Sequence, residues 1–235
     1  MKIHITRRLI NWIVGFQLIA AAGFAILSLI AAYIWFVKGH DIALGFIPQF
    51  YADYEANVPN WHSANVILFN AVLLGLIGWA KKQESDRFYR HWLGLAIIFV
   101  FLSLDEIASI HSMLDKPIRA LLHTSGIFYL AWTIPYGIFS IIIGASYIIF
   151  LKNLSSKLRW QFIVAGALYV FSALVMEMIE SPIEQKYGIQ NMVIGTLASI
   201  EESLEMVAMA YFNYALLHYI AETIQTVEMD FENRR

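Results

Sequence analysis

The stretch from Leu9 to Val37, LINWIVGFQLIAAAGFAILSLIAAYIWFV, contains no Asp, Glu, Lys or Arg. A helix needs about 20 apolar residues to cross a hydrocarbon core about 30 Å thick, and this run exceeds that length. It follows Lys2, Arg7 and Arg8, as a secretion signal would, but the apolar part of a signal covers only about 7–15 residues. An uncleaved membrane anchor is the expected reading. Backbone N–H and C=O groups have no water to bond in lipid, so a lone spanning segment must satisfy them as a helix. The run is continuous rather than alternating, which excludes a barrel strand.

Five more apolar runs follow: Trp61 to Ala80, Trp92 to His111, Phe128 to Phe150, Trp160 to Glu180 and Met192 to Tyr219. Together they predict an all-α membrane protein, a single transmembrane domain over residues 1–235 built as a bundle of about six transmembrane helices. Composition agrees, with 59% hydrophobic and 14% charged residues against roughly 25% charged in a soluble domain. The lipid bilayer is the expected partner, with other membrane subunits as a further possibility. A net charge of −2 points away from nucleic acid. The chain has no cysteine, which excludes disulfides, thiolate metal ligands and cysteine nucleophiles.

Basic residues set the expected topology. Lys2, Arg7 and Arg8 precede the first run, Lys81, Lys82, Arg87 and Arg90 lie between the second and third, and Lys152, Lys157 and Arg159 between the fourth and fifth. With Arg234 and Arg235 at the end, twelve of the sixteen Lys and Arg fall on one side. The positive-inside rule makes that side, and both termini, cytoplasmic. On the other side, Gly39 to Asn60 carries Phe46, Phe50, Tyr51 and Tyr54, as an interfacial segment would. Leu114 to Leu122 reads as a short amphipathic stretch with Lys116, Arg119 and His123 on its polar side. Both fit lipid-surface anchors, and the alternative is a cap over an outward-facing cavity.

The acids carry the functional signal. Of 18 Asp and Glu, seven fall within the runs: Asp105, Glu106, Glu177, Glu180, Glu201, Glu202 and Glu205. No Lys or Arg lies within a run to pair with them. Each ionised side chain at mid-bilayer costs from about 2.5 to over 10 kcal/mol, so something must neutralise them. At about 1.5 Å per helical residue, all seven fall toward the outer face. Glu177 and Glu180 share a helix face, as do Glu202 and Glu205, and Glu201 and Glu205.

Protons, an aqueous cavity or a metal would relieve this charge, and histidine is the usual nitrogen companion of carboxylates around a metal. The expected ligands are Glu106, His111, Glu177, Glu202 and Glu205, with Asp105, Glu180, Glu201 and His62 as supporting groups or alternative ligands. On a straight helix His111 points about 140° from Glu106, so this requires the helix to bend or end before it. Oxygen-rich ligands with histidine suit Fe, Mn, Mg or, less comfortably, Zn.

The stretch Ser103-Leu104-Asp105-Glu106 with His111, and the later Glu201-Glu202-Ser203-Leu204-Glu205-Met206, resemble motifs of a family of uncharacterised bacterial multi-pass membrane proteins. The resemblance implies membership of that group and no activity. With the topology read from the basic residues, the expected location is the bacterial inner (plasma) membrane, with the acids on the periplasmic side. Di-iron carboxylate bundles use Glu-x-x-His motifs, and none occurs here. Three functions remain open. The expectation is a metal-dependent enzyme, hydrolytic or oxidative, acting on a lipid-like or periplasmic substrate. The alternatives are a structural or assembly subunit of a larger membrane complex, and a component of cation or proton transport. Transport is disfavoured because the cytoplasmic half of each run lacks ionisable groups.

Overall fold

A computed structural model describes residues 6–223 and, beyond them, the backbone of two short strands. The architecture is all-helical. Arg234 and Arg235, counted above in the topology, lie outside the described residues, as does the side chain of Lys2.

Helix α1 (Arg7–Phe36) starts at Thr6, whose hydroxyl accepts the Leu9 N–H. A short helix α2 (Phe46–Phe50) follows, then α3 (Val58–Gln83), α4 (Tyr89–Ala108) and α5 (Ile110–Leu122). Helices α6 (Thr133–Ser146) and α7 (Ile148–Asn153) lead to α8 (Ser156–Val170). A π-helical segment, Phe171–Met176, joins α8 without interruption to α9 (Glu177–Tyr187). The last helix, α10 (Met192–Thr223), is started by Asn191, whose side-chain Oδ1 accepts the N–H groups of Val193 and Ile194. Strands β1 (Lys2–Ile3) and β2 (Val227–Glu228) pair antiparallel and bring the two ends of the chain together.

Four of these stretches are long and apolar enough to cross a membrane: Arg7–Phe36, Val58–Gln83, Tyr89–Ala108 and Ser156–Tyr187. The boundaries differ from those expected in informative ways. The third run ends at Ala108 rather than His111, because Ser109 turns left-handed at φ 52°. The fourth is split, with a single 3₁₀ turn at Gly126–Phe128 and a helix that begins only at Thr133. The fifth continues past Glu180 to Tyr187 and ends at Gly188, whose φ of 76° suits a helix stop.

The core explains the arrangement. Ile10, Val14, Ile67, Leu74, Trp92, Phe162, Phe212 and Leu216 form one buried cluster joining α1, α3, α4, α8 and α10. Two asparagines add polar contacts inside it. Asn70 donates to the Met209 carbonyl at 3.0 Å, and Asn213 donates to Asn70 Oδ1 at 2.9 Å, tying α3 to α10. Helices α3 and α4 meet closely at Gly78, where a Cβ would fall 2.7 Å from Leu93. At the opposite end from the basic loops, Ala31, Ala32, Ile47 and Tyr51 form a second cluster that seats the segment after α1 on the bundle. That end carries the acids.

Candidate functional site

The site starts at the break between α4 and α5. Asp105 sits on the last full turn of α4, and Oδ1 accepts both the His111 backbone N–H at 2.8 Å and the Tyr136 hydroxyl at 3.0 Å. The left-handed Ser109 swings the chain so that His111 Nδ1 lies 3.4 Å from Asp105 Oδ2. The break therefore supplies the bend that His111 needed, and its nearest acid is Asp105 rather than Glu106. Glu106 points elsewhere, accepting from Asn60 Nδ2 at 3.3 Å. Burial opposes a charged imidazole at His111, but Asp105 beside it, helped by Glu55 and Glu106, outweighs this and raises its pKa above the usual value.

Helix α9 brings Glu177, Glu180 and Glu184 to the same cavity. The π segment immediately before Glu177 adds a residue to the turn and so resets the direction in which these acids point; such bulges recur at functional sites. Helix α10 contributes Glu201, Glu202 and Glu205.

One of the two segments expected to lie on the lipid surface, the loop after α2, instead lines this cavity. Helix α5, by contrast, has no buried residue and leaves Met113, Leu121 and Leu122 exposed, as a surface helix does. The loop after α2 is held on both sides. Ala52 N–H donates to Ser28 Oγ at 2.9 Å, and Ser28 in turn meets Ser199 on α10 at 2.7 Å. Asn57 caps α3 through the Asn60 N–H and donates its own amide to the carbonyls of Tyr51 and Tyr54. Asp53 and Glu55 are thereby carried over the site. Helix α5 turns Asp115 inward, where it pairs with Arg119 and accepts the Ala131 N–H at 2.6 Å. The cap reading is the one the structure bears out for Ala52 to Glu55.

Together these elements enclose a cavity of about 550 Å³. Eleven acids line it: Asp53, Glu55, Asp105, Glu106, Asp115, Glu177, Glu180, Glu184, Glu201, Glu202 and Glu205. His111 is in the wall, while neither Lys nor Arg is. Glu180 is only 4% exposed, and its Oε1 has no hydrogen-bond partner among the described residues; Glu202 Oε2 is in the same state. Asp53 shows the electrostatic cost outside the spans. Burial, then the charges of Glu184 and Glu55, push its carboxyl up to about 7.

Eight of the nine residues singled out from sequence thus line one cavity. His62 does not: it packs between Phe16 and Phe24, with ring centroids 6.3 and 5.4 Å away. Asp53, Glu55, Asp115 and Glu184 were missed because they lie in segments read as interfacial or beyond the fifth run. Among the described residues, no group of three or more His, Asp and Glu stands close enough to hold a metal ion in this arrangement. What the cavity offers is a concentrated excess of oxygen acceptors, of which, among the described residues, Asp115 alone is paired with an arginine, Arg119, behind the wall.

A family model for a domain of unknown function, DUF8692, matches residues 18–220, a span that includes all eleven acids. No curated protein and no solved structure matches the chain.

Proposed function

The chain belongs to the DUF8692 family, and we propose that it is a metal-dependent membrane enzyme whose acid chamber binds a divalent cation next to a lipid-like substrate. The observation that carries this reading is the convergence of eleven acids on one cavity lined by neither Lys nor Arg. A cation is the simplest species that relieves this charge, since one divalent ion gathers several carboxylate oxygens at about 2.0–2.6 Å. Glu106, Glu177, Glu202 and Glu205 are the proposed oxygen ligands, and uptake of the ion must draw them together from their present positions. His111 is the proposed nitrogen ligand. Asp105 already holds Nδ1, which leaves Nε2 free, the usual carboxylate–histidine–metal pattern. Glu180, Glu201 and Asp105 orient these groups. Fe, Mn, Mg or Zn would each fit the donor set, and such an ion would activate water for hydrolysis or bind oxygen for oxidation.

In this reading α6 with α7, and α10, also cross the membrane, completing six spans. Both ends lie in the cytoplasm because the basic loops gather at that end. The chamber then faces the periplasm of a bacterial inner membrane, the location expected from the sequence.

The test is elemental analysis of protein purified without chelator, for the wild type and Glu202→Gln. Stoichiometric metal in the wild type, lowered in the variant together with thermal stability, supports the reading. A metal-free wild type that gains stability with Glu202→Gln overturns it. The transport or structural-subunit reading would then take its place.

A further inference from the structure

We propose that the apolar groove between α4, α6 and α8 holds the chain of a membrane amphiphile whose cationic, amine-bearing end sits in the acid chamber. This names the substrate class for the cavity described above, and so rests on that cavity being the working site.

The groove is the lower half of the cavity. It runs from the acids toward the basic end of the bundle, between Leu95 and Leu102 of α4, Phe139 and Ile143 of α6, and the α8 wall. Helix α6 stands away from its neighbours: it packs chiefly against the π segment and α7, and Thr133 at its start is its one buried residue. The two facing walls each carry a glycine, Gly144 on α6 and Gly166 on α8. Membrane helices normally use glycine to let backbones touch. Here a Cβ added at either glycine would meet nothing within 4 Å. The glycines face open volume, not a packed neighbour.

Size and depth fit an alkyl chain. From Leu95 to Asp105 the wall of α4 rises about 15 Å, half of a hydrocarbon core about 30 Å thick, which is the depth of one leaflet. The cavity volume of about 550 Å³ lies within the usual range for small-molecule sites, roughly 300–1,000 Å³. A chain hanging from the acid level toward the bilayer centre is also how an amphiphile of that leaflet already lies.

Charge selects the polar end. Ionised carboxylates only accept hydrogen bonds, and an ammonium group only donates them. The buried Glu180 Oε1 and the Asn60 Oδ1, the latter on a side chain 7% exposed, both line the chamber without a partner. Asp53 and Glu184 are outside the set proposed for the metal, and Glu180 orients that set without ligating the ion, so amine and ion need not compete. A carboxylate or sulfate head would meet repulsion from the acids that dominate the wall.

The test uses three probes of equal chain length: hexadecylamine, hexadecanol and hexadecanoate. Each is added to the purified full-length protein in a neutral detergent, and retention is read by native mass spectrometry beside thermal stability. One hexadecylamine should be retained per protein and raise Tm, with hexadecanol retained more weakly and hexadecanoate not at all. Gly166→Leu fills the groove from α8 and Gly144→Leu fills it from α6, and each removes a helix-interior glycine, which favours folding. Both variants should keep or raise the ligand-free Tm and lower amine retention at least about tenfold. Glu180→Gln should lower retention of the amine but leave that of hexadecanol unchanged. Equal retention of the three probes, or undiminished amine retention in both glycine variants, overturns the proposal. If the amine is retained as expected but the wild type carries no metal, the groove stands and only the metal reading falls.

Discussion

His111 donates its backbone N–H to Asp105 Oδ1 at 2.8 Å, across the left-handed Ser109 that ends one helix and starts the next. A single carboxylate thus caps α5, bonds the Tyr136 hydroxyl and lies beside the His111 ring. The break and the site geometry are one feature: without the turn at Ser109, His111 would project away from the acids.

Asp105→Leu should therefore undo the docking of α5 rather than merely remove a charge. It deprives the His111 N–H and the Tyr136 hydroxyl of their acceptor, at a cost of about 1–3 kcal/mol for each buried group left unpaired. Hydrogen exchange at the His111 and Ser112 amides should accelerate, while the α3–α10 core stays protected. Asp105→Asn keeps an acceptor oxygen and should restore most of that protection. Unchanged exchange in Asp105→Leu would mean that the break is held by other contacts.

The apolar runs of the long helices were readable because length and continuity alone identify a segment that suits lipid. The convergence of Glu177, Glu180, Glu202 and Glu205 was readable from depth and from spacings of three and four. Three features were not. Ser109 carries no signal of a helix break, since neither Gly nor Pro marks it, and its turn at φ 52° goes with the Asp105 carboxylate accepting the His111 N–H two residues on. The π segment before Glu177 has no compositional mark in Phe171–Met176. The residues Asp53 and Glu55 sit among tyrosines and phenylalanines whose usual meaning is an interfacial belt, and only the bonds to Ser28 and Asn57 turn that segment inward. His62 had the right depth but the wrong azimuth, a variable that a straight-helix count cannot supply when the partner helix is unknown.

The cap depends on Asn57, which serves α3 and the loop at once. Asn57→Ala should cost about 1–2 kcal/mol as a lost helix cap and should also free the carbonyls of Tyr51 and Tyr54. The measurable sign is faster proteolysis or hydrogen exchange across residues 51–57. Ser28→Ala, which removes the acceptor of the Ala52 N–H, should loosen the same segment. Neither variant should disturb the Asn70–Asn213 pair. Equal loosening throughout the protein would show that the cap is not a separate unit.

Topology can be tested with the exposed residues Gln83 and Lys186 in a chain that has no cysteine of its own. In intact cells Lys186→Cys should react with an impermeant thiol reagent, while Gln83→Cys should react only after the membrane is opened. The reverse pattern would place the acid chamber toward the cytoplasm and remove the argument for a periplasmic substrate.

The pH dependence of the metal-free protein follows from Asp53 and His111. The Asp53 carboxyl in the fold titrates at about 7, whereas in the unfolded chain it titrates at about 3.9. Between those values the folded state holds a proton that the unfolded state has lost, so stability falls as pH rises through the window. His111 acts in the same direction. Its pKa is raised in the fold, so its contribution is present below about pH 6.5, the unfolded value, and is lost as pH rises through the folded one. The two slopes add, and apparent Tm in the presence of chelator should fall between pH 5 and pH 8 by at least about 3 °C, the equivalent of roughly 1 kcal/mol in a chain of this size. Asp53→Asn removes the acid whose ionisation is opposed, so it should raise Tm at pH 8, leave it unchanged at pH 4 and flatten the profile between. A profile that rises from pH 5 to pH 8 in chelator would mean that the carboxyl over the chamber is held ionised by a countercharge, contrary to the uncompensated acids on which the cation-binding reading depends.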